Sequence, residues 1–370
     1  MAIEYFGAGS LSQVRELVES LKVQRVFLVT GKQSFSSSGA QKKLDNLLKD
    51  RQVVVFNAFS ANPKLEDVIS GSKLLKNSSP DLILAVGGGS VLDMAKLVNI
   101  SAANNGIGFH DIVENSGLIS NKGLPMVAIS TTAGSGSQAT HFAVVYIGKC
   151  KHSVAHNYLL PDYLIVDQEL CYHTPKKIAA SSAMDALSQA VESYWSIYAN
   201  SESRQYATRA IGLILESIDL AINKNDKESI GKLSLAAHFS GKAINITKTT
   251  APHAISYTLT SNFGVPHGHA VAALLIQVVL VSIEKKSDRY GKILDEVIDL
   301  FGCNSLEEFE SMWKSVMSKC GLSSNMQEFG VTIEDTDFIV KGVNLERLTG
   351  HPVSLNREDL TKIVKRVLLS

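Results

Sequence analysis

The sequence predicts an α/β domain over residues 1–175, followed by an all-α domain over residues 176–370. Three observations predict this. Through the first half, apolar β-branched runs alternate with helical patterns, at the pitch of βαβ units and a parallel sheet. Those runs are apolar throughout, as strands buried on both faces are. After "HTPKKIAAS" (173–181) strand patterns all but vanish and long amphipathic helices follow one another.

The elements follow in order. "VQRVFLVTG" (23–31) is an apolar run ending in glycine, and "QKKLDNLLKD" (41–50) has helical spacing. "QVVVFNAF" (52–59) is a second strand and "LEDVISGSKLLKN" (65–77) a second helix. "DLILAVGGG" (81–89) is a third strand that runs into the helix "SVLDMAKLVNISAA" (90–103), and "LPMVAISTT" (124–132) is a fourth strand. "FAVVYIG", "KHSVAHN" and "YLIVDQ" read as short antiparallel pieces. In the second half the spacing predicts helices over 178–197, 203–223, 227–245, 251–262, 269–284, 286–301 and 305–319.

Composition narrows the function. The 370 residues are 45% apolar and 19% charged, which provides core for two domains. Lys+Arg and Asp+Glu balance at 36 each, which favours neither nucleic acid nor an anionic membrane as partner and leaves a small molecule. Cys150, Cys171, Cys303 and Cys320 are scattered without a CxxC pair, so reduced thiols are expected rather than a disulfide framework. The most apolar stretch, "AVAALLIQVVLVSI" (270–283), is shorter than the roughly 20 residues of a membrane span. "MAIEYFGAGSLSQVRELVESL" has no basic segment followed by an apolar run, so a cytoplasmic location is expected.

"LILAVGGGSVLDMAK" is the strongest local signal of the first half. Gly87, Gly88 and Gly89 let the chain turn sharply and a ligand approach closely, and the helix opening at Ser90 offers unpaired N–H groups to a pyrophosphate. The next strand ends in a second small polar loop, "STTAGSGSQAT" (130–140). Two such loops at adjacent strand ends, where doubly wound sheets bind ligands, point to a nucleotide. After the first strand comes Gly31 and then Lys32, where an acidic residue would bind a ribose 2′-hydroxyl. Nothing there repels a 2′-phosphate and a cation can hold one, which favours NADP over NAD.

In "MDALSQAVESYWS" (184–196), Asp185 and Gln189 share a helix face at i, i+4. Further on, "TTAPHAISYTLTSNFGVPHGHA" (249–270) carries His253 near the start of an apolar helix and His267 in a Pro/Gly turn, with His269 just beyond. One carboxylate and two imidazoles suit Fe2+ or Zn2+ and leave positions open for a substrate oxygen.

These residues resemble the iron-activated (group III) alcohol dehydrogenases over nearly the whole chain. The resemblance runs through "FSANPKLEDV", "LAVGGGSVLDMAK", "STTAGSGSQAT", "LLPDYLIVDQEL", "MDALSQAVESYWS" and "HAISYTLTSNFGVPHGHA". It implies an N-terminal Rossmann-like domain, a C-terminal helical domain, NAD(P), a divalent metal and a homodimer. By position it places Gly87, Gly88, Gly89, Ser90 and Asp93 at the pyrophosphate. Thr131, Thr132, Ser135 and Thr140 line the nucleotide, with Asn62 near the cofactor. Asp185, His253 and His267 match three metal ligands, and the 14-residue spacing of the two histidines matches as well.

Three positions depart from the family pattern. Gln189 stands where a fourth ligand histidine is usual, so an amide oxygen or a water completes the metal shell. Tyr257 stands where a histidine is usual near the substrate, and Gln138 where the second loop usually has Glu. The activity implied is metal-dependent, NAD(P)-linked reduction of an aldehyde, with Tyr257 or His269 returning the proton. "NITKTTAPH" places Lys248, Thr249 and Thr250 ahead of His253, which is similar to phosphonoacetaldehyde reductases and suits an anionic aldehyde. Two alternatives share the scaffold: a dehydroquinate synthase-like lyase, and a nucleotide-binding relative without metal.

Overall fold

The computed structural model describes residues 2–148 and 150–369. The chain divides into two compact units between Thr174 and Pro175.

The first unit runs β1 (Ile3–Phe6), α1 (Gln13–Ser20), β2 (Arg25–Thr30), α2 (Ser34–Ser37), α3 (Ala40–Leu47), β3 (Gln52–Phe56), α4 (Leu65–Ser78), β4 (Leu82–Gly87), α5 (Gly89–Ala103), α6 (Phe109–Glu114), β5 (Met126–Ser130), β6 (Phe142–Ile147), β7 (Cys150–Ala155) and β8 (Tyr163–Val166). Six strands form one sheet in the order β1-β8-β5-β4-β2-β3, and every pairing in it is parallel. Alternate residues of β2 explain why the strand reads as apolar without a break. Phe27 and Val29 enter the core on one face, with Leu92 and Val98 of α5. Val26 and Leu28 enter the core on the other, with Val14 of α1 and Leu44 of α3. A strand covered on both sides has no polar face to show.

Two findings depart from expectation. "YLIVDQ" is not an antiparallel piece: its strand, β8, lies between β1 and β5 and runs parallel to both. Four residues carry no mark of their partner's direction, which the crossover connection sets instead. Only β6 and β7 form the expected antiparallel hairpin. The edge strand β1 and helix α1 had no sequence signal strong enough to name them. Strand order also locates the crevice. From β2 the chain steps outward to β3, then crosses to the other side of β2 to lay down β4. That reversal puts the carboxyl ends of β2 and β4 side by side, where open α/β sheets bind ligands.

The second unit is helical: α7 (Lys176–Trp195), α8 (Ser201–Lys224), α9 (Lys227–Thr247), α10 (Ala251–Phe263), α11 (His267–Ile283), α12 (Asp288–Leu300), α13 (Leu306–Lys319), α14 (Thr336–Lys341) and α15 (Arg357–Leu369). The last two were not anticipated. Asn200 opens α8 with a capping box and Asp226 caps α9, each accepting from a first-turn N–H. Helix α7 packs against α8, α9 and α11, so it is covered on several sides. Its small residues Ala180, Ala183, Ala186, Ser188 and Ala190 are all buried and let those neighbours approach closely. Helix α11 is likewise buried around its circumference, which is why its sequence lacks a polar stripe. Among the described residues, no helix is long and apolar enough to cross a membrane.

Candidate active site

In the first unit the glycine turn meets the second polar loop. A Cβ at Gly89 would stand 2.7 Å from Ser135 Oγ, and one at Gly88 would stand 3.3 Å from Thr132 Cγ2. The Thr131 N–H donates to the Gly87 carbonyl at 3.0 Å, tying the two strand ends together. Asn62, at φ 66, donates its N–H to Ser90 Oγ at 3.3 Å, so a third loop joins the start of α5. Gly31 and Lys32 follow β2 directly, and Lys32 is exposed. They help line a cavity of about 340 Å3, together with Thr30, Phe35, Asp45 and Asn57.

Two of the expected nucleotide residues are engaged inside the protein. Asp93 accepts from Ser137 Oγ at 2.6 Å and from the Val144 N–H at 3.0 Å. Thr140 is fully buried, and its Oγ1 lies 3.0 Å from Lys96 Nζ. Lys96, buried itself, also donates to the carbonyls of Ser137, Thr140 and Phe142. Asp93, Lys96 and Thr140 therefore hold the second loop in shape from behind. The hydroxyl of Thr131 is buried with no hydrogen-bond partner among the described residues. A buried orphan beside a glycine cradle fits a nucleotide placed there.

In the second unit the metal candidates converge. Asp185 projects from α7, His253 from the first turn of α10, and His267 from the first turn of α11. One donor atom from each lies within 4.8 Å of the others. His253 Nε2 is 3.1 Å from Asp185 Oδ1, and His267 Nε2 is 4.0 Å from the same oxygen. A single ion with bonds of ~2.0–2.2 Å can satisfy three donors so spaced, so the residues fit the cation.

Gly268 makes the arrangement possible. A Cβ there would lie 1.9 Å from the Ser181 carbonyl oxygen, so only glycine lets the start of α11 press against α7. The His269 N–H donates to Ser181 Oγ at 3.2 Å and pins the same contact.

A residue that sequence reasoning missed completes the cluster. Glu192 is fully buried, seven residues beyond Asp185 on α7. Its Oε2 binds His253 Nδ1. Its Oε1 accepts from the Thr250 N–H at 2.8 Å and from Thr250 Oγ1 at 2.9 Å. A carboxylate on the far nitrogen fixes the ring so that Nε2 faces Asp185. Burial alone would lower the His253 pKa, but Glu192 and Asp185 outweigh it and raise it to about 10. The available signal was a glutamate at i+7 in an otherwise small, apolar helix.

The remaining candidates divide. Tyr257 joins the cluster: its ring stacks on His267 with centroids 5.8 Å apart and planes at 18°. Gln189 is buried, but its Oε1 accepts a hydrogen bond from Ser240 Oγ at 2.8 Å. His269 does not join. Its Nε2 lies 2.5 Å from the Ser323 carbonyl oxygen, and its ring meets Phe329 edge-on. Thr250 is held between Glu192 and Trp195 Nε1. Lys248 is exposed on the turn between α9 and α10, at φ 62 and ψ 175, a conformation costly for a residue other than glycine.

Residues 3–168 match the family model for iron-containing alcohol dehydrogenase, and residues 179–368 match the model for the C-terminal domain of the Fe-containing alcohol dehydrogenase family. Alcohol dehydrogenase 4 of Saccharomyces cerevisiae is 28% identical over 375 residues, covering 98% of this chain and 96% of that protein. The NADPH-dependent butanol dehydrogenase of Clostridium saccharobutylicum is 29% identical over 377 residues, covering 98% and 95%. Among solved structures, the sulfoacetaldehyde reductase of Bifidobacterium kashiwanohense in complex with NAD+ is similar, with a TM-score of 0.90 at 26% identity, covering 99% of this chain and 97% of that one. The iron-containing alcohol dehydrogenase of Thermotoga maritima gives 0.88 at 27% identity, covering 100% and 98%.

Proposed function

The chain belongs to the iron-containing alcohol dehydrogenase family, oxidoreductases that act on CH–OH groups, and from that premise we propose that it reduces a short anionic aldehyde to its alcohol with NADPH. The observation that carries the reading is the convergence of Asp185, His253 and His267. A divalent cation held there, Fe2+ or Zn2+, supplies Lewis acidity at the carbonyl oxygen, and the nicotinamide supplies the hydride. The chain's own residues do the rest. Glu192 keeps His253 turned toward Asp185. The N–H groups opening α5 receive the pyrophosphate, with Ser90 and Asn62 beside them. Tyr257, which stacks on His267 and accepts from Arg347 Nη1 at 3.2 Å, is the group placed to return a proton to the product oxygen.

Gly31 and Lys32 support NADP, since no carboxylate follows β2 directly and a free ammonium does. Lys248, ahead of His253, supports an anionic substrate, and so does the likeness to a sulfoacetaldehyde reductase. The family resemblance supports a homodimer, which sedimentation reads directly.

The test follows NADH and NADPH oxidation against neutral and anionic aldehydes, with Fe2+ and Zn2+ supplied separately. Metal-dependent net oxidation, faster with NADPH and with phosphonoacetaldehyde or sulfoacetaldehyde than with propionaldehyde, is the expected result. Equal kcat/KM for charged and neutral aldehydes removes the anionic substrate. Full activity and metal loading in Asp185→Ala removes the site itself.

A further inference from the structure

We propose that Arg347 grips the anionic group of the substrate and sets the enzyme's choice of aldehyde, an inference that rests on the anionic-aldehyde reading above. Arg347 lies on the short 3-10 turn Leu345–Leu348, 94 and 80 positions beyond the two histidines that it reaches toward. Its guanidinium carbon stands 5.1 Å from the centroid of the Tyr257 ring, and its Nη1 donates to the Tyr257 hydroxyl. That same ring stacks on His267, whose Nε2 is 4.0 Å from Asp185 Oδ1. Tyr257 therefore touches both the cation and a ring of the candidate metal cluster.

The guanidinium has donors to spare. It is half-buried, and among the described residues no carboxylate pairs with it. Of its five N–H groups, the bond to Tyr257 engages one. A partly desolvated guanidinium with open donors suits a planar, bidentate grip on a sulfonate, phosphonate or carboxylate. The tyrosine hydroxyl and ring hold the fork in place, so little side-chain freedom is lost when an anion arrives.

A neutral aldehyde meets the same cation with nothing to offer it, so the open donors of Arg347 favour the charged substrate alone.

The test compares wild type, Arg347→Met, Arg347→Lys and Lys248→Met, each loaded with metal. Two readouts are taken: kcat/KM for sulfoacetaldehyde and phosphonoacetaldehyde relative to propionaldehyde, and calorimetric binding of ethylphosphonate as an unreactive probe. In Arg347→Met the anionic-to-neutral ratio should fall ~10–100-fold, through KM rather than kcat, and ethylphosphonate affinity should fall alike. Arg347→Lys should restore part of both. A purely structural role would lower both aldehydes together and leave the ratio intact, which would overturn the assignment. If wild type prefers anionic aldehydes and Lys248→Met abolishes the preference while Arg347→Met does not, Arg347 is wrong and the substrate reading stands. If wild type shows no preference, both fall.

Discussion

Replacing Gly268 with alanine adds one carbon at a tight point of the candidate metal cluster. The new Cβ would sit 1.9 Å from the Ser181 carbonyl oxygen, 2.7 Å from Asp185 Cβ and 2.9 Å from the Asp185 nitrogen. All three atoms belong to α7 itself, so no rotamer change can relieve the clash. Ordinary contact begins at 3.4 Å, and the step from 1.9 to 3.4 Å requires the start of α11 to retreat by about 1.5 Å. Metal sites hold their bond lengths to about 0.2 Å, so His267 can no longer share an ion with Asp185 and His253. Strain of this kind costs about 1–3 kcal/mol in stability. The assay is metal affinity by competition with a chromophoric chelator, beside a thermal melt of stripped protein. Gly268→Ala should bind metal at least ~100-fold more weakly than wild type and should resemble His267→Ala. Gly212→Ala is the matched control: it lies exposed in α8 with nothing within 4 Å of the new Cβ. That change should stabilise by about 0.5–1 kcal/mol, as alanine for glycine does in an open helix. Wild-type metal affinity and melting in Gly268→Ala would refute the claim that this glycine positions the cluster.

Glu192→Gln keeps the oxygen that Thr250 uses but takes the negative charge from His253 Nδ1; metal affinity should fall ~10–100-fold with a smaller change in melting temperature, and unchanged affinity would remove Glu192 from the site. Gln189→His releases the bond from Ser240 and adds a fourth donor, a third imidazole, so metal should bind at least ~10-fold tighter; no change would mean that position 189 does not face the ion. His351 is buried between Trp195 and Tyr290, and burial pulls its pKa from 6.5 to about 3. Between those values the unfolded chain binds the extra proton, so stability is present above pH 6.5 and is lost as pH falls toward 3, at up to about 1.4 kcal/mol per pH unit. Urea denaturation at pH 7 and pH 5 should therefore show a smaller acid loss in His351→Asn than in wild type.

The sequence makes the sheet and the glycine turn legible because both are local. Strand β4 is apolar on both faces and stops at three glycines, and no neighbour is needed to read that. The two histidines of the candidate metal set stand out in the sequence by their settings, a Pro/Gly turn and a helix start, and the structure brings them within 4.8 Å of each other and of Asp185. Glu192 and Arg347 do not stand out. The glutamate's role depends on α10 folding back onto α7 to deliver His253, and the arginine's on a turn far along the chain meeting Tyr257. Thr140 and Asp93 show the converse: the family resemblance implies a ligand beside them, yet the buried ammonium of Lys96 and the Val144 N–H engage them. Helix α14 is too short to carry a periodic signal, whereas α15 does carry one, with Leu360, Ile363, Val364, Val367 and Leu368 on a single buried face.

The pairing of His253 with Glu192 on one side and Asp185 on the other has a consequence for how the enzyme matures. Two carboxylates flanking one imidazole favour its protonated form, so one of their two negative charges is offset before any ion arrives. A cation binding at Nε2 would displace that proton, so metal affinity should rise with pH.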